Sequence, residues 1–241
     1  MYNTNMSSIK ISKLLATAGI ASRRKAEELV LAGKVTLNGK IMRNVAERVL
    51  PEKDVVSVGG RIISAQEDPV VLVLNKPAGV VSTVSDPDGK PTVMNYIPEE
   101  FEKYRLFPVG RLDEESEGLM LLTNDGNLAY TLTHPKFAVS KVYHVVIQGH
   151  LSESEISRIR RGVPLKGKKT RPAEVTILDR TNETQILEIT IREGMNRQIR
   201  RMMKALNHPV LRLQRQKMGE YSLGKLDPGM VRKEPVRVGH N

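Results

Sequence analysis

Cysteine and tryptophan are absent from the chain. Without cysteine there are no disulfides, no thiolate metal sites and no cysteine nucleophile, and a disulfide-stapled secreted scaffold is excluded. Aromatic residues make up only 4% of the 241 positions, three Phe and six Tyr, so a surface that stacks on a planar ligand has few side chains to draw on. No apolar run approaches the roughly 18–20 residues that cross a bilayer; Val70–Leu74 is typical of the longest. The opening stretch, Met1 to Ser8, is polar and lacks the apolar segment of a secretory signal. The expectation is a cytoplasmic protein with no membrane partner. His134, His144, His150, His208 and His240 show no metal-ligand spacing, and His144 falls in a predicted strand, where it reads as structural. No glycine-rich stretch has the phosphate-loop or dinucleotide form. No metal and no cofactor are therefore expected. With no serine in a hydrolase-elbow setting either, carboxylates are the remaining nucleophile candidates.

What the chain has in excess is positive charge. Lys and Arg number 38 against 27 Asp and Glu, a net charge of +11. Such a balance favours a polyanionic partner, and its distribution says more than its size. Residues 1–68 hold 11 basic and 7 acidic side chains. The 26 residues from Arg192 to Lys217 hold eight basic side chains and one acid, Glu193, a net +7 that equals the whole excess of residues 69–241. A solvated face is normally diluted with Glu, so this stretch points to a phosphate-binding surface.

Two segments separate along the chain. In residues 9–68, Ile11, Leu14, Leu15 and Ala18 recur at helical spacing before Gly19, and Ser22 caps a second helix that buries Ala26, Leu29 and Val30 and stops at Gly33. Val35–Ile41 reads as a hairpin through Asn38-Gly39, and Val55–Ile63 as a second through Gly59-Gly60. Two short helices and two hairpins suit a binding module better than a catalytic one. Lys10, Lys13, Arg23, Arg24, Lys25 and Lys34 lie on or beside its helices as candidate binding residues. Ala65–Pro69 reads as a linker. From residue 69 to about 235 a larger unit follows. Val70–Leu74 has the continuous apolar pattern of a strand covered on both faces, Val142–Ile147 and Gln185–Ile191 are later strands, and Ser152-Glu153-Ser154-Glu155 is a capping box opening a helix that runs to Arg161 before Gly162. Strands with few helices indicate an α+β sheet domain rather than a doubly wound one.

The densest segment is Gly110-Arg111-Leu112-Asp113 through Leu119–Leu122 and Thr123-Asn124-Asp125-Gly126, the last four read as a turn. Arg111 and Asp113 are two apart, so an extended chain turns both to one side. Residue types alone leave two readings open: an acid and a base that tune each other beside a buried strand, or a surface turn with a salt bridge.

This segment resembles the signature of ribosomal-RNA pseudouridine synthases of the RsuA/RluB/RluE/RluF branch. Asn75–Ser82, Lys141-Val142-Tyr143 and Glu193–Met202 resemble three further motifs of that family, in the same order, and Ile9–Ile63 is similar to its N-terminal RNA-binding module, named for ribosomal protein S-four. Ser116 stands where many members have Thr, and Met195 where Arg or Lys is frequent. The Glu193–Met202 stretch looks closest to members acting on large-subunit RNA. The resemblance implies an N-terminal helix–hairpin module followed by a mixed or antiparallel-sheet catalytic domain, and isomerisation of uridine to pseudouridine in ribosomal RNA; a monomer is the default expectation.

In that reading Asp113 is catalytic and Arg111, Tyr143 and Arg200 support it. Tyr143 packs on a flipped-out uracil, Arg111 helps to hold the nucleotide out, and Lys76 is a possible phosphate contact. The base must leave its stack, at a cost of about a few kcal/mol. Arg197–Leu206 is expected as a helix capped by Asn196, with Ile199, Met202, Met203 and Leu206 on its apolar face. Arg197, Arg201 and Lys204 point away from that face toward phosphates. Arg200, at the edge of the stripe, is expected half-buried and paired with Asp113. The competing readings are a non-catalytic RNA-binding or ribosome-assembly factor and a DNA-binding regulator. The first has no need of Arg111, Asp113, Tyr143 and Arg200 together, and the second gives no account of the Asp113 segment.

Overall fold

A computed structural model describes residues 8–63, 68–165 and 167–237. The chain divides into two compact units between Pro69 and Val70; most of the expected linker, residues 65–67, lies outside the described residues.

The first unit contains β1 (Ile9–Lys10), α1 (Ile11–Thr17), α2 (Arg23–Leu31), β2 (Val35–Leu37), β3 (Lys40–Met42), β4 (Arg48–Val49), β5 (Val56–Val58) and β6 (Arg61–Ile62). Ser22 Oγ accepts the Lys25 N–H at 3.1 Å and starts α2. Asn38 and Gly39 take φ of 49° and 81°, the pair of left-handed residues that a two-residue hairpin needs to match strand twist. Strands pair in the order β3-β2-β5-β6, with β1 on β4. Ile11, Leu15, Ala26, Val30, Val35, Val49 and Val56 are buried together. Leu29 is only partly buried.

The second unit contains β7 (Val71–Lys76), β8 (Phe107–Pro108), β9 (Glu117–Thr123), α3 (Gly126–Thr133), β10 (Lys141–Gln148), α4 (Glu153–Arg161), β11 (Pro164–Leu165), β12 (Lys168–Lys169), β13 (Glu174–Arg180), β14 (Thr184–Ile191), α5 (Gln198–Lys204), β15 (Val210–Met218), β16 (Tyr221–Ser222) and β17 (Val231–Glu234). Nine strands form one mixed sheet in the order β13-β14-β10-β15-β9-β7-β17, with β16 on β15 and β8 on β9. Every pairing in it is antiparallel except β9 with β15.

The sheet explains the two kinds of apolar pattern. On one side of β15, β7 and β9 alternate between two cores. Leu72, Leu74, Met120 and Leu122 join the large core that also holds Val145, Leu187 and Met202. Val71, Val73, Leu119 and Leu121 join a second core with Leu128 and Leu132 of α3. On the other side of β15, β10 and β14 bury one face, and residues alternate. The capping box of α4 forms, with Ser152 Oγ accepting the Glu155 N–H, and Gly162 ends the helix at φ 94°.

Two local expectations are corrected. Thr123–Gly126 is not a simple turn: Asp125 Oδ1 accepts the Asn127 and Leu128 N–H groups at 2.7 and 3.2 Å and starts α3. Asn196 does not cap α5. The helix begins at Gln198, and Arg197 precedes it in the left-handed region at φ 49°. The reason is Gln198, whose Oε1 accepts the Met195 N–H at 3.0 Å and whose Nε2 donates to Glu193 at 2.7 Å. That side chain ties the turn of residues 193–197 just before the helix. Among the described residues, no helix is long and apolar enough to cross a membrane.

Candidate active site

The loop of residues 110–116, between β8 and β9, is held by the first family motif. Ser82 Oγ donates to Leu112 O at 2.8 Å and accepts the Leu112 N–H at 3.1 Å. The Gly79 N–H reaches Glu114 O at 2.9 Å, and Lys76 Nζ donates to Glu114 O and to Pro77 O. Ser116, fully buried, closes the loop with its N–H on Asp113 O at 3.0 Å. Gly118 then lets β9 approach β15: at φ 96° a Cβ would collide with the backbone of Arg215.

These restraints place Arg111 and Asp113 on the wall of a cavity of about 390 Å³, which Tyr143 of β10, Arg215 of β15 and Gln198 of α5 also line. That volume suits a small planar ligand such as a nucleobase with its sugar. Leu112, between the two charged residues, is buried in the core. Arg111 is exposed at the rim, and the Asp113 side chain retains 26% exposure. Tyr143 is buried on the inward face of β10, opposite Ile189 and Arg215 of its neighbours.

The charge network differs from the expected one. Arg200 does not pair with Asp113. Its side chain is half-buried, at 13% exposure, as its position on the helix predicts. Its Nε lies 3.1 Å from Glu115 Oε1, and its guanidinium also reaches Ser116 Oγ and Val210 O at 3.4 and 3.3 Å. The cation nearest Asp113 is Arg197, at 3.9 Å, which also pairs closely with Glu115. The physical cause is the left-handed Arg197, which turns its side chain back over the loop. Glu115 thus bridges two arginines of the α5 region, and the sequence pattern singled it out in no way.

Lys76 is also corrected. It is 0% exposed and cannot meet RNA phosphate; its ammonium clamps the loop carbonyls. Burial lowers its pKa to about 8 against the opposing pull of Glu117, Glu114 and Asp113. Lys141 is buried too, and its pKa is lowered to about 8, by burial first and by Arg215 second.

The other basic candidates remain at the surface. Lys10, Arg23, Arg24, Lys25 and Lys34 are exposed on the first unit, Lys13 is half-buried, and Lys25 pairs with Glu28 at 2.7 Å. On the second unit Arg197 and Lys204 are exposed and Arg201 half-buried. His144 lies in β10 with Glu188 across the strand pair at 3.4 Å. Among the described residues, no cluster of His, Asp and Glu is arranged to hold a metal ion. Ser82, Ser116, Glu115, Gln198 and Arg215 escaped sequence reasoning as site residues.

A mixed sheet with a carboxylate, a tyrosine and arginines around one nucleobase-sized cavity, in a chain that also carries a small basic module, defines an RNA-acting enzyme architecture. Residues 70–205 match the family model described as RNA pseudouridylate synthase, and residues 9–56 match that of the S4 domain. A ribosomal large subunit pseudouridine synthase B of Bacillus subtilis (strain 168) is 39% identical over 228 residues, covering 92% of this chain and 91% of its own. An uncharacterized RNA pseudouridine synthase of Aquifex aeolicus (strain VF5) is also 39% identical over 228 residues, covering 94% of this chain and 90% of its own. A crystal structure of a pseudouridylate synthase superposes with a TM-score of 0.67 at 29% identity, over 95% of this chain and 96% of that one. The chain belongs to the RNA pseudouridylate synthase family.

Proposed function

We propose that the protein isomerises uridine to pseudouridine in ribosomal RNA, in the large subunit, with Asp113 as the group that acts on the target nucleotide. The observation that carries this reading is the convergence of Arg111, Asp113 and Tyr143 on one cavity of nucleobase size. The relative that acts on large-subunit RNA supports the choice of substrate. The uridine leaves its stack and enters the cavity, where Tyr143 covers the uracil face and Arg111, at the exposed rim, occupies the space behind it. Asp113 acts ionised on the sugar–base unit, its carboxylate held by a loop clamped at Leu112, Glu114 and Ser116. Arg200 acts through Glu115 and Ser116 as a positioning residue of that loop. Arg197, Arg201 and Lys204 bind phosphates at the cavity mouth. Residues 9–68, with Lys10, Lys13, Arg23, Arg24, Lys25 and Lys34, dock the RNA, and residues 69–235 carry out the isomerisation, as a monomer in the cytoplasm. Pseudouridine mapping of ribosomal RNA from cells with and without this protein tests the proposal. A uridine of the large-subunit RNA is expected to lose its modification, and an unchanged map overturns the reading.

A further inference from the structure

Two buried cations line the cavity, and neither forms an ion pair among the described residues. Lys141 opens β10 and Arg215 lies on the adjacent strand β15, opposite Tyr143. Their exposures are 9% and 2%. Arg215 Nε donates to Leu119 O at 2.7 Å, but its buried Nη2 meets no acceptor among the described residues. Lys141 Nζ makes one long contact, 3.4 Å to Val139 O. No carboxylate of the described residues forms an ion pair with either. The nearby charged groups are Asp113, Arg111 and Arg197 on the cavity wall, Lys76, which feels the charge of Arg215, and Glu193, whose field only partly offsets that of Arg215 on Lys141. Two buried like charges side by side oppose folding, since a stranded buried charge costs several kcal/mol. Stability therefore gives no reason to keep them, whereas an anion that arrives in the cavity does.

The position of the pair selects that anion. Backbone phosphates meet the exposed guanidinium groups at the mouth. Donors buried on the wall that carries Tyr143 meet what Tyr143 meets, the base. We propose that Lys141 Nζ and the Arg215 guanidinium bind the carbonyl oxygens of the target uracil and stabilise the negative charge that develops on them during isomerisation. This rests on the function proposed above. When the N1–C1′ bond breaks, its electron pair stays with N1 and the charge spreads to O2 and O4. Attack of a carboxylate on the ring at C6 would push charge onto O4 as well, so both routes call for donors at these atoms. Once C5 bonds to C1′, the C5 proton leaves and N1 takes one up, and the product is an isomer with nothing gained or lost. Fixed donors aimed at developing charge in a site shielded from water are a large source of rate, and removing one costs roughly 10²–10³-fold.

The test uses the full chain and a large-subunit ribosomal RNA transcript tritiated at uracil C5, with tritium release followed in single turnovers at saturating enzyme. Lys141→Met is expected to lower the rate about 100-fold or more while RNA affinity changes less than twofold. Lys141→Arg keeps a fixed positive donor and is expected to retain a rate within about tenfold of wild type. The ammonium is needed charged and loses its proton near pH 8, so the wild-type rate falls as pH rises through that value. Lys76, which clamps the Asp113 loop, also loses its proton near pH 8, so the comparison is made in a Lys76→Met background, where Lys141→Arg moves the limb beyond the tested range. A Lys141→Met rate within threefold of wild type, or a loss confined to RNA affinity, overturns the proposal, the second outcome marking a phosphate contact. If thermal melting shows Lys141→Met unfolded, the pH profiles decide: identical alkaline limbs for Lys76→Met with and without Lys141→Arg overturn it. Turnover by the wild type separately reports on the proposed function, and its absence overturns both.

Discussion

Asp113 and Lys76 are both ionisable residues of the family-like motifs, yet their surroundings give them opposite work. Asp113 keeps a quarter of its side chain open to the cavity, whereas Lys76 is enclosed and spends its protons on the carbonyls of Pro77 and Glu114. Asp113→Asn preserves size and removes the carboxylate's charge, so pseudouridine formation is expected to vanish while RNA affinity stays within about twofold. Parallel product and filter-binding assays on the purified variant check this, and substantial product would remove Asp113 from its role. Lys76→Met should leave RNA affinity and its salt dependence unchanged, contrary to a phosphate contact, and should lower the rate by loosening the loop. Lys76 also makes a pH prediction. Its folded pKa, about 8, lies below the ordinary 10.5. Between those values the unfolded chain holds the proton that the folded chain has lost, so stability rises with pH across that window. At 1.36 kcal/mol per pH unit the gain is bounded at roughly 3 kcal/mol. Chemical denaturation at pH 8 and 10.5 should show wild type gaining stability relative to Lys76→Met. Tyr221, whose hydroxyl pKa burial raises, acts in the other direction near the top of the window and cancels in that difference.

At the scale of elements, α5 shows what patterning conveys and what it leaves out. Ile199, Met202, Met203 and Leu206 are buried as their spacing implies, and each contributes about 1.5–3 kcal/mol of apolar burial to a helix of seven residues that would not persist alone. The half-burial of Arg200 follows from the same wheel. Its partner does not, because periodicity fixes the face a residue occupies and says nothing of what a loop some 85 residues earlier presents to it. The hairpins through Asn38-Gly39 and Gly59-Gly60 and the α4 capping box were legible because each is decided within a few residues. The α3 start was missed because Thr123-Asn124-Asp125-Gly126 suits a turn and a cap equally, and only Leu128 and Leu132 packing on the sheet decide between them. The site was legible as a set of motifs, but the clamp from Ser82 and the buried Arg215 were not, since both depend on strands that meet only in the folded sheet. Two element-scale outcomes follow. Arg200→Ala should lower the single-turnover rate at saturating RNA by freeing Glu115 and Ser116, whereas Arg201→Ala should mainly weaken binding and reduce its salt slope. Gly118→Ala should destabilise the second unit by at least about 1–3 kcal/mol, from a left-handed backbone and a collision with Arg215, measurable by thermal or chemical denaturation.

For the whole molecule, the division between Pro69 and Val70 separates two sets of positive charge. The first unit carries exposed Lys10, Arg23, Arg24, Lys25 and Lys34 and has its own buried core of Ile11, Leu15, Ala26, Val30, Val35, Val49 and Val56. The second carries both larger cores and every residue that lines the candidate cavity. A chain that begins at Pro69 is therefore expected to fold, with a cooperative thermal transition and the dichroism of the mixed sheet. Its deficit should be in docking. Without the first unit fewer phosphates are neutralised and fewer counterions leave the RNA on binding. Affinity should therefore fall, and the slope of log affinity against log salt should become shallower by about 0.7–0.9 for every phosphate no longer neutralised. The single-turnover rate at saturating RNA should change little, because that step belongs to the cavity. Salt titrations of RNA binding and saturating-rate measurements on both chains separate the two effects. A truncated chain that binds ribosomal RNA with unchanged affinity and salt slope would show that the first unit docks nothing, and a truncated chain that fails to fold would place the boundary elsewhere.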